Sequence, residues 1–267
     1  MTSCVLVIAG SDSGGGAGIQ GDIKTITSLG GFATTAITAI TAQNTIGVKG
    51  IKSVSSKLIN LQINSIIDDF PIKTVKLGML HSEKVIKTVL FSIKNKLKHI
   101  PYILDPVMVA KSGTPLLEKN CIDLIVSDLI PGSFLVTPNI PEAQQITNTK
   151  IEDVNDMKEA GKKILSLGAK SVLIKGGHMK CKTLSNVLVT NAGSKIFRSK
   201  RIDTVHTHGT GCTMSSAIAV SIAQGMNIYS SIERAQKYVS KAIKNAPNLG
   251  KGHGPLDHLA GTGSIKF

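Results

Sequence analysis

The sequence predicts a single α/β domain built on a mostly parallel central sheet with helices on both faces. Short apolar, β-rich runs alternate with helix-length segments over 267 residues, and parallel strands need such crossovers to be joined. The strand-like runs are bounded by Gly, Pro or Asn. No repeat, low-complexity tract or linker interrupts the alternation, and the length suits one large core.

The elements follow in order. Val5–Ala9 reads as a short buried strand and Ile19–Leu29 as a helix ending at Gly30-Gly31. Thr34–Ala42 is a β-branched run suited to a strand, and Leu58, Leu61, Ile63, Ile66 and Ile67 follow helical spacing. "TVKLGM", "YILDPV", "FLVTPN" and "SVLIKGG" are further strands. Val154, Met157, Ile164 and Leu165 line one face of a helix that stops at Gly168.

Composition excludes several classes. The net charge is +14, yet Lys84, Lys87, Lys94, Lys96 and Lys98 are scattered along amphipathic segments and only 3% of residues are aromatic. That pattern fits a solvated basic surface and no nucleic-acid partner. Cys4, Cys121, Cys181 and Cys212 form no C-x-x-C pair and no metal-ligand spacing with His. The start "MTSCVLVIAG" enters a strand directly, and no apolar run approaches the ~20 residues of a membrane span. No membrane partner and a cytoplasmic location are expected.

Ligands of such sheets sit at the carboxyl ends of the strands. Asp12, Gly78-Met79, Asp105, Asn139 with Glu142, and Lys175 all fall at those ends. Any one of them is more commonly a turn or cap former, but together they point to one edge. In "GSDSGGGAGIQGD" (residues 10–22) the glycines allow close backbone approach, and the helix that follows offers free N–H groups. It carries neither the Walker lysine nor the dinucleotide spacing. Alone it is weak evidence, since a flexible strand–helix turn explains it as well.

"HTHGTGC" (residues 206–212) is more telling. Gly209, Thr210 and Gly211 bring amides to a helix N-terminus, a nest for phosphoryl oxygens. Cys212 shares that field, so a lowered thiol pKa is expected, suited to a proton acceptor. A Cys/His nucleophile using His206 or His208 is the rival, and a small buried helix-start cysteine the bland alternative. Asp105 and Glu142 are hard oxygen ligands suited to Mg²⁺, and Lys175 supplies charge for a polyphosphate. Thr137, Asn139 and Asn186 add candidate polar contacts. Metal, lysine and nest together are the apparatus of phosphoryl transfer, which Cys/His hydrolysis does not need.

These motifs resemble those of the hydroxymethylpyrimidine/phosphomethylpyrimidine kinases of thiamine biosynthesis, within the ribokinase-like superfamily. "AGSDSGGGAGIQGDIKT", "ITAQNT", "KLGML", "LDPVMVAKSG", "TPNIPEA", "LIKGGH", "THGTGCT" and "GHGP" occur in the family's order across essentially the whole chain. The resemblance implies a single-domain, ribokinase-like α/β/α sandwich. It implies an ATP- and Mg²⁺-dependent kinase that phosphorylates 4-amino-5-hydroxymethyl-2-methylpyrimidine and then its monophosphate, and a homodimer. Asp22 and Gln43 would grip the pyrimidine edge, with Gly10, Met79 and Val107 around the ring. Cys212 would inherit the role of general base, Gly209 to Gly211 the anion hole. Asp105 and Glu142 would serve Mg²⁺, while Lys175, Asn139 and Thr210 would serve ATP. Val109–Gly113 resembles a flap.

Pyridoxal kinases are the neighbouring alternative. Gln43 favours the pyrimidine, because an amide matches the donor and acceptor of an aminopyrimidine edge. Departures from the family pattern are Gly14 for Ser, Gly21 for Ala, and Asn186 for a frequent Asp.

Overall fold

The computed structural model describes residues 2–118, 120–179 and 182–261; Cys181 lies outside them. The strands are β1 (Cys4–Asp12), β2 (Phe32–Gln43), β3 (Val48–Ser53), β4 (Ile72–Leu77), β5 (Tyr102–Leu104), β6 (Leu135–Val136), β7 (Ser171–Ile174), β8 (Thr183–Thr190) and β9 (Gly193–Lys200). They form one sheet in the order β3-β2-β1-β4-β5-β6-β7-β8-β9. β1, β2 and β4 to β7 pair in parallel. β3 and the β8–β9 hairpin are antiparallel additions at the two edges. Neither hairpin had been expected: "VKGIKS" and "GSKIFRSK" are too polar to read as buried strands, because edge strands shed their apolar residues.

The helices are α1 (Gly18–Ser28), α2 (Ser56–Ile67), α3 (Glu83–Asn95), α4 (Cys121–Leu124), α5 (Ile140–Thr147), α6 (Val154–Ser166), α7 (Thr210–Ala223) and α8 (Ile228–Lys244). β1 shows how the layers divide. Cys4, Leu6 and Ile8 face a core shared with α2 to α6, while Val5, Val7 and Ala9 face one shared with α1, α7 and α8. Period-two alternation sends successive side chains to opposite faces, and both faces are buried. The expected three-layer α/β/α architecture is therefore observed. The expected apolar face of α2 is corrected in detail: Ile59 and Ile63 are the buried residues, whereas Leu58 and Leu61 are about half exposed.

The order in which successive strands are added reverses around β1, which lies between its parallel neighbours β2 and β4. A crevice opens at such a switch point, beyond the carboxyl ends of the strands. Asp12, Asp105, Thr137 and Lys175 all emerge at that edge.

Candidate active site

The first glycine turn closes on itself. Asp12, buried at the end of β1, accepts hydrogen bonds from the N–H groups of Gly14 (2.8 Å), Gly16 (3.1 Å) and Ala17 (2.9 Å), and from His208 Nε2 (2.8 Å). The N–H groups expected to face a ligand are thus spent on the turn's own carboxylate. Orphan donors at a helix start must be satisfied, and Asp12 reaches them from within the chain. Burial works against an ionised Asp12, but His208 and the backbone donors outweigh it and hold the carboxyl below its ordinary range. Lys24 adds a bond from Nζ to the Gly15 carbonyl at 2.8 Å. The glycines serve close approach: a Cβ on Gly16 would lie 2.6 Å from His208 Cδ2, and one on Gly209 1.9 Å from the Gly16 carbonyl oxygen.

The second glycine turn stays open. Gly209, at φ 82°, caps α7 without a side-chain acceptor, and no acidic residue occupies the first turn. Thr210 N–H reaches the Thr207 carbonyl at 3.3 Å. Among the described residues the amides of Gly211 and Cys212 meet no acceptor. Gly211 faces a charged pair, since a Cβ there would lie 3.2 Å from Lys175 Nζ and 3.9 Å from Asp105 Oδ2. Lys175 Nζ bonds Asp105 Oδ1 at 2.7 Å, and Thr137 donates to the same oxygen at 3.1 Å. Burial disfavours the Asp105 carboxylate, yet Lys175 and Lys76 hold it below its ordinary range. Lys175 in turn is held above its ordinary range, because Asp105 and Glu142 overcome its burial.

Cys212 lies beside this turn, partly exposed, with the Gly18 amide donating to its sulfur. The expected lowering of its pKa is overturned. Burial pushes the thiol up to about 11; Lys76 pulls it down, while Asp22 and Asp105 push the other way. Desolvation of a thiolate outweighs the weak field of one helix terminus. The rival Cys/His pairing is not made among the described residues: His208 Nε2 is bonded to Asp12, and His206 Nδ1 is buried without a hydrogen-bond partner.

Asp22, expected at the pyrimidine edge, is fully buried beneath the site. Its Oδ2 pairs with Lys76 Nζ at 2.8 Å and its Oδ1 accepts from Ser216 at 2.7 Å. Both oxygens are engaged, so the aspartate anchors a lysine and offers nothing to a ligand. Lys76 is the partner that the motifs do not point to; its signal in the sequence is a charged residue within the apolar run "TVKLGM", where it is fully buried. Burial alone would depress its ammonium, but Asp22, Cys212 and Asp105 hold it above its ordinary range.

Gly10, Met79 and Val107 do come together. A Cβ on Gly10 would touch Met79 Sδ at 2.8 Å, and Val107 packs with Ala110 against the cluster of Ala39, Met79 and Leu116. Gln43 ends β2 half-buried, its amide 3.4 Å from His208 Nε2. Val109–Gly113 forms an excursion closed by a bridge between Val109 and Pro115. Asn139 and Glu142 form a capping box: Asn139 Oδ1 accepts from Glu142 N–H at 2.9 Å, and Glu142 Oε2 from Asn139 N–H at 2.8 Å. Burial pushes the Glu142 carboxyl up to about 7, against the pull of Lys175. Asn186 accepts from Gly176 N–H at 3.1 Å and donates to Gln236 at 3.3 Å, so it joins β8 to its surroundings. Among the described residues no three His, Cys, Asp or Glu side chains gather around a metal position.

The phosphomethylpyrimidine kinase family matches residues 12–257 of this sequence. The chain belongs to that family. It is 42% identical over 267 residues to a hydroxymethylpyrimidine/phosphomethylpyrimidine kinase of Haemophilus influenzae, covering 96% of each chain. It is also 42% identical to a bifunctional thiamine biosynthesis protein of Geobacter sulfurreducens, with 98% of this chain matched; there it spans 53% of the relative's length. Among solved structures, a phosphomethylpyrimidine kinase from Clostridium difficile aligns at 40% identity and TM-score 0.80, over 90% of this chain and 99% of that one. An ADP complex of Bacillus subtilis pyridoxal kinase aligns at 34% identity and TM-score 0.90, over 97% and 98%. The molecule is a phosphotransferase with ATP as donor. No helix among its described residues is long and apolar enough to cross a membrane.

Proposed function

We propose that this kinase phosphorylates the hydroxymethyl group of 4-amino-5-hydroxymethyl-2-methylpyrimidine, and then the resulting monophosphate, in thiamine biosynthesis. The observation that carries the reading is the uncapped turn at Gly209–Gly211, facing the Lys175–Asp105 pair at 2.7 Å. Unmet amides beside a part-buried ammonium supply fixed positive potential where a phosphoryl group loses its bond to ADP. Lys175 and Thr210 would hold the nucleotide's phosphates, with Asn139 at the rim. Gly10, Met79 and Val107 form an apolar wall for the ring, and Gln43 offers it an amide edge.

In the first step the hydroxyl oxygen bonds the γ-phosphorus, the bond to the β-phosphate oxygen breaks, and the hydroxyl proton passes to the Cys212 sulfur. A thiol with its pKa near 11 is protonated at rest, so the ionised sulfur is the scarce reacting form, steadied by Lys76 below it. In the second step a phosphate oxygen attacks. It is already ionised near neutral pH, so no base is required.

Asp105 and Glu142 fit a Mg²⁺ ion. Both are hard carboxylates beside Lys175, and Asp105 Oδ2 looks toward Gly211. With two carboxylates the protein provides a minority of the ligands, which suits an ion that keeps waters and binds polyphosphate. When bound, Mg²⁺ supplies neutralisation of phosphate charge.

A pyridoxal kinase activity is the second reading, favoured by the backbone likeness to the Bacillus subtilis enzyme. An ADP-release assay comparing the pyrimidine alcohol, its monophosphate and pyridoxal decides between them. Preference for the two pyrimidines supports the proposal, and preference for pyridoxal overturns it. A homodimer is expected with this function, and sedimentation at micromolar concentration tests it.

A further inference from the structure

Lys76 puts a charge where the fold calls for an apolar side chain. Its neighbours across the sheet are Val7 on β1 and Ile103 on β5, both in the core shared with α1, α7 and α8. The side chains of Lys76 and Asp22 are fully buried and meet at 2.8 Å. Apolar residues of similar volume commonly replace such a buried pair without loss of stability, so stability does not account for it. Its position does.

The pair lies one helical turn below the sulfur of Cys212, because α1 and α7 meet in two rungs. In the upper rung the Gly18 N–H donates to Cys212 Sγ. In the lower rung Ser216 Oγ donates to Asp22 Oδ1 at 2.7 Å. Gly18 and Asp22 are one turn apart on α1, as Cys212 and Ser216 are on α7. Each helix therefore presents both of its members on one face, about 5–6 Å apart. Lys76 Nζ, bonded to Asp22 Oδ2, leans along β4 toward the ligand edge of the sheet, since a Cβ on Gly78 would lie 2.8 Å from it. Among the described residues Asp22 is the one acceptor that Nζ meets, which leaves two of its three hydrogens uncommitted.

Four charges act on the sulfur: Lys76 from β4, Asp22 from α1, Asp105 from the end of β5 and Lys175 from the end of β7. Lys175 is held by Asp105 at 2.7 Å, and Lys76 has the largest effect of the four.

We propose that Lys76, anchored by Asp22 and Ser216, and the Gly18 amide form a cradle for the ionised Cys212 sulfur, which makes Lys76 a positioning residue for the first phosphorylation. The ammonium is fixed before the sulfur ionises, so the buried negative form meets a charge that needs no rearrangement. This inference rests on the functional reading above, in which Cys212 accepts the hydroxyl proton.

Alkylation of Cys212 by iodoacetamide at pH 8, followed by mass spectrometry on the enzyme without nucleotide, tests the cradle without turnover. Cys212 is partly exposed and reacts through its thiolate, whereas Cys4 and Cys121 are buried. In Lys76→Met the alkylation rate should fall about 3–10-fold, since a lost neighbouring charge shrinks the thiolate fraction and the more basic sulfur recovers part of the loss. Turnover of the pyrimidine alcohol should fall by a similar factor. Turnover of the monophosphate, whose oxygen needs no base, and KM for ATP should stay within about twofold. Asp22→Asn should act in the opposite sense and speed alkylation, because it removes an anion and leaves the ammonium. If Lys76→Met does not fold, Lys76→Met combined with Asp22→Asn removes the pair as a neutral unit and should still slow alkylation. Unchanged alkylation in the folded variant, equal slowing of both phosphorylations, or changes of the same sign in Lys76→Met and Asp22→Asn overturns the cradle. Failure of the unsubstituted enzyme to use the pyrimidine alcohol would instead remove the functional reading, and the alkylation rates would still decide the cradle.

Discussion

The two glycine turns of this kinase look alike in sequence and behave in opposite ways. Each follows a strand or loop and opens a helix; each carries several small residues. The turn at residues 12–18 has its own anion, Asp12, which takes up three amides. The turn at residues 209–212 has none, and its Gly211 sits against Lys175 and Asp105. A self-capped turn is a structural joint, whereas an uncapped one beside fixed charge is ready to receive a foreign anion. The lesson is that glycine content does not identify a phosphate site. The accounting of backbone donors does.

The largest expected effect concerns the sulfur beside the open turn. Cys212→Ala should slow the first phosphorylation by roughly 10³–10⁴-fold, the upper range for a positioned base, and the second by less than about 10-fold, because a phosphate oxygen needs no deprotonation. Cys212→Asp should restore the first step. It should also flatten a rate that, in the unsubstituted enzyme, climbs about 10-fold per pH unit on the way to the thiol's value near 11. Equal losses in both steps would show that the cysteine does something other than accept a proton.

Next, Gly211→Asp would give the open turn an anion of its own. ATP turnover should fall by roughly 10²–10³-fold while the melting temperature holds. A fully active variant would mean that the turn receives no phosphoryl group.

Emptying the closed turn should act on stability instead. Asp12→Ala leaves three amides and His208 without their acceptor, and chemical denaturation should show a loss of about 2–4 kcal/mol. Since the native carboxyl lies below its ordinary range, its stabilisation is complete above that range and disappears as pH falls through the native value. Asp12→Asn should therefore shrink the acid-side slope of stability. A variant as stable as the parent would erase the contrast between the turns.

The smallest effect is at Glu142. Its native pKa near 7 exceeds the ordinary 4.5, so the folded state keeps a proton that the unfolded chain has lost, and stability declines as pH rises between those values. Glu142→Gln should remove that decline, leaving the variant about 1–2 kcal/mol ahead of the parent at pH 8. Thermal melts at pH 5 and pH 8 measure it, and an unaltered slope would return the carboxyl to ordinary behaviour.

Much of this molecule was legible in the residues. Apolar runs such as "SVLI" and "YIL" marked buried strands, and polar residues after them marked the ligand edge. Asp105 and Lys175 do meet, as the strand-end pattern anticipated, and Gly211 sits against both. The polar edge strands β3 and β9 were missed because an exposed strand has no apolar alternation to betray it. Asp22 was misplaced because a motif identifies a residue without saying whether it faces inward.

What the sequence alone determined was local and periodic: strand–helix alternation, helix stops at Gly30 and Gly168, and a glycine turn opening the helix at Thr210. Tertiary structure decided the partnerships. Asp12 with His208 spans 196 positions and Ser216 with Asp22 spans 194, so no window along the chain could reveal them. The same packing set the state of the Cys212 thiol, since burial and the charges of Lys76, Asp22 and Asp105 exist only once the layers close. Electrostatics depends on distance through space and on desolvation, and the fold alone fixes both.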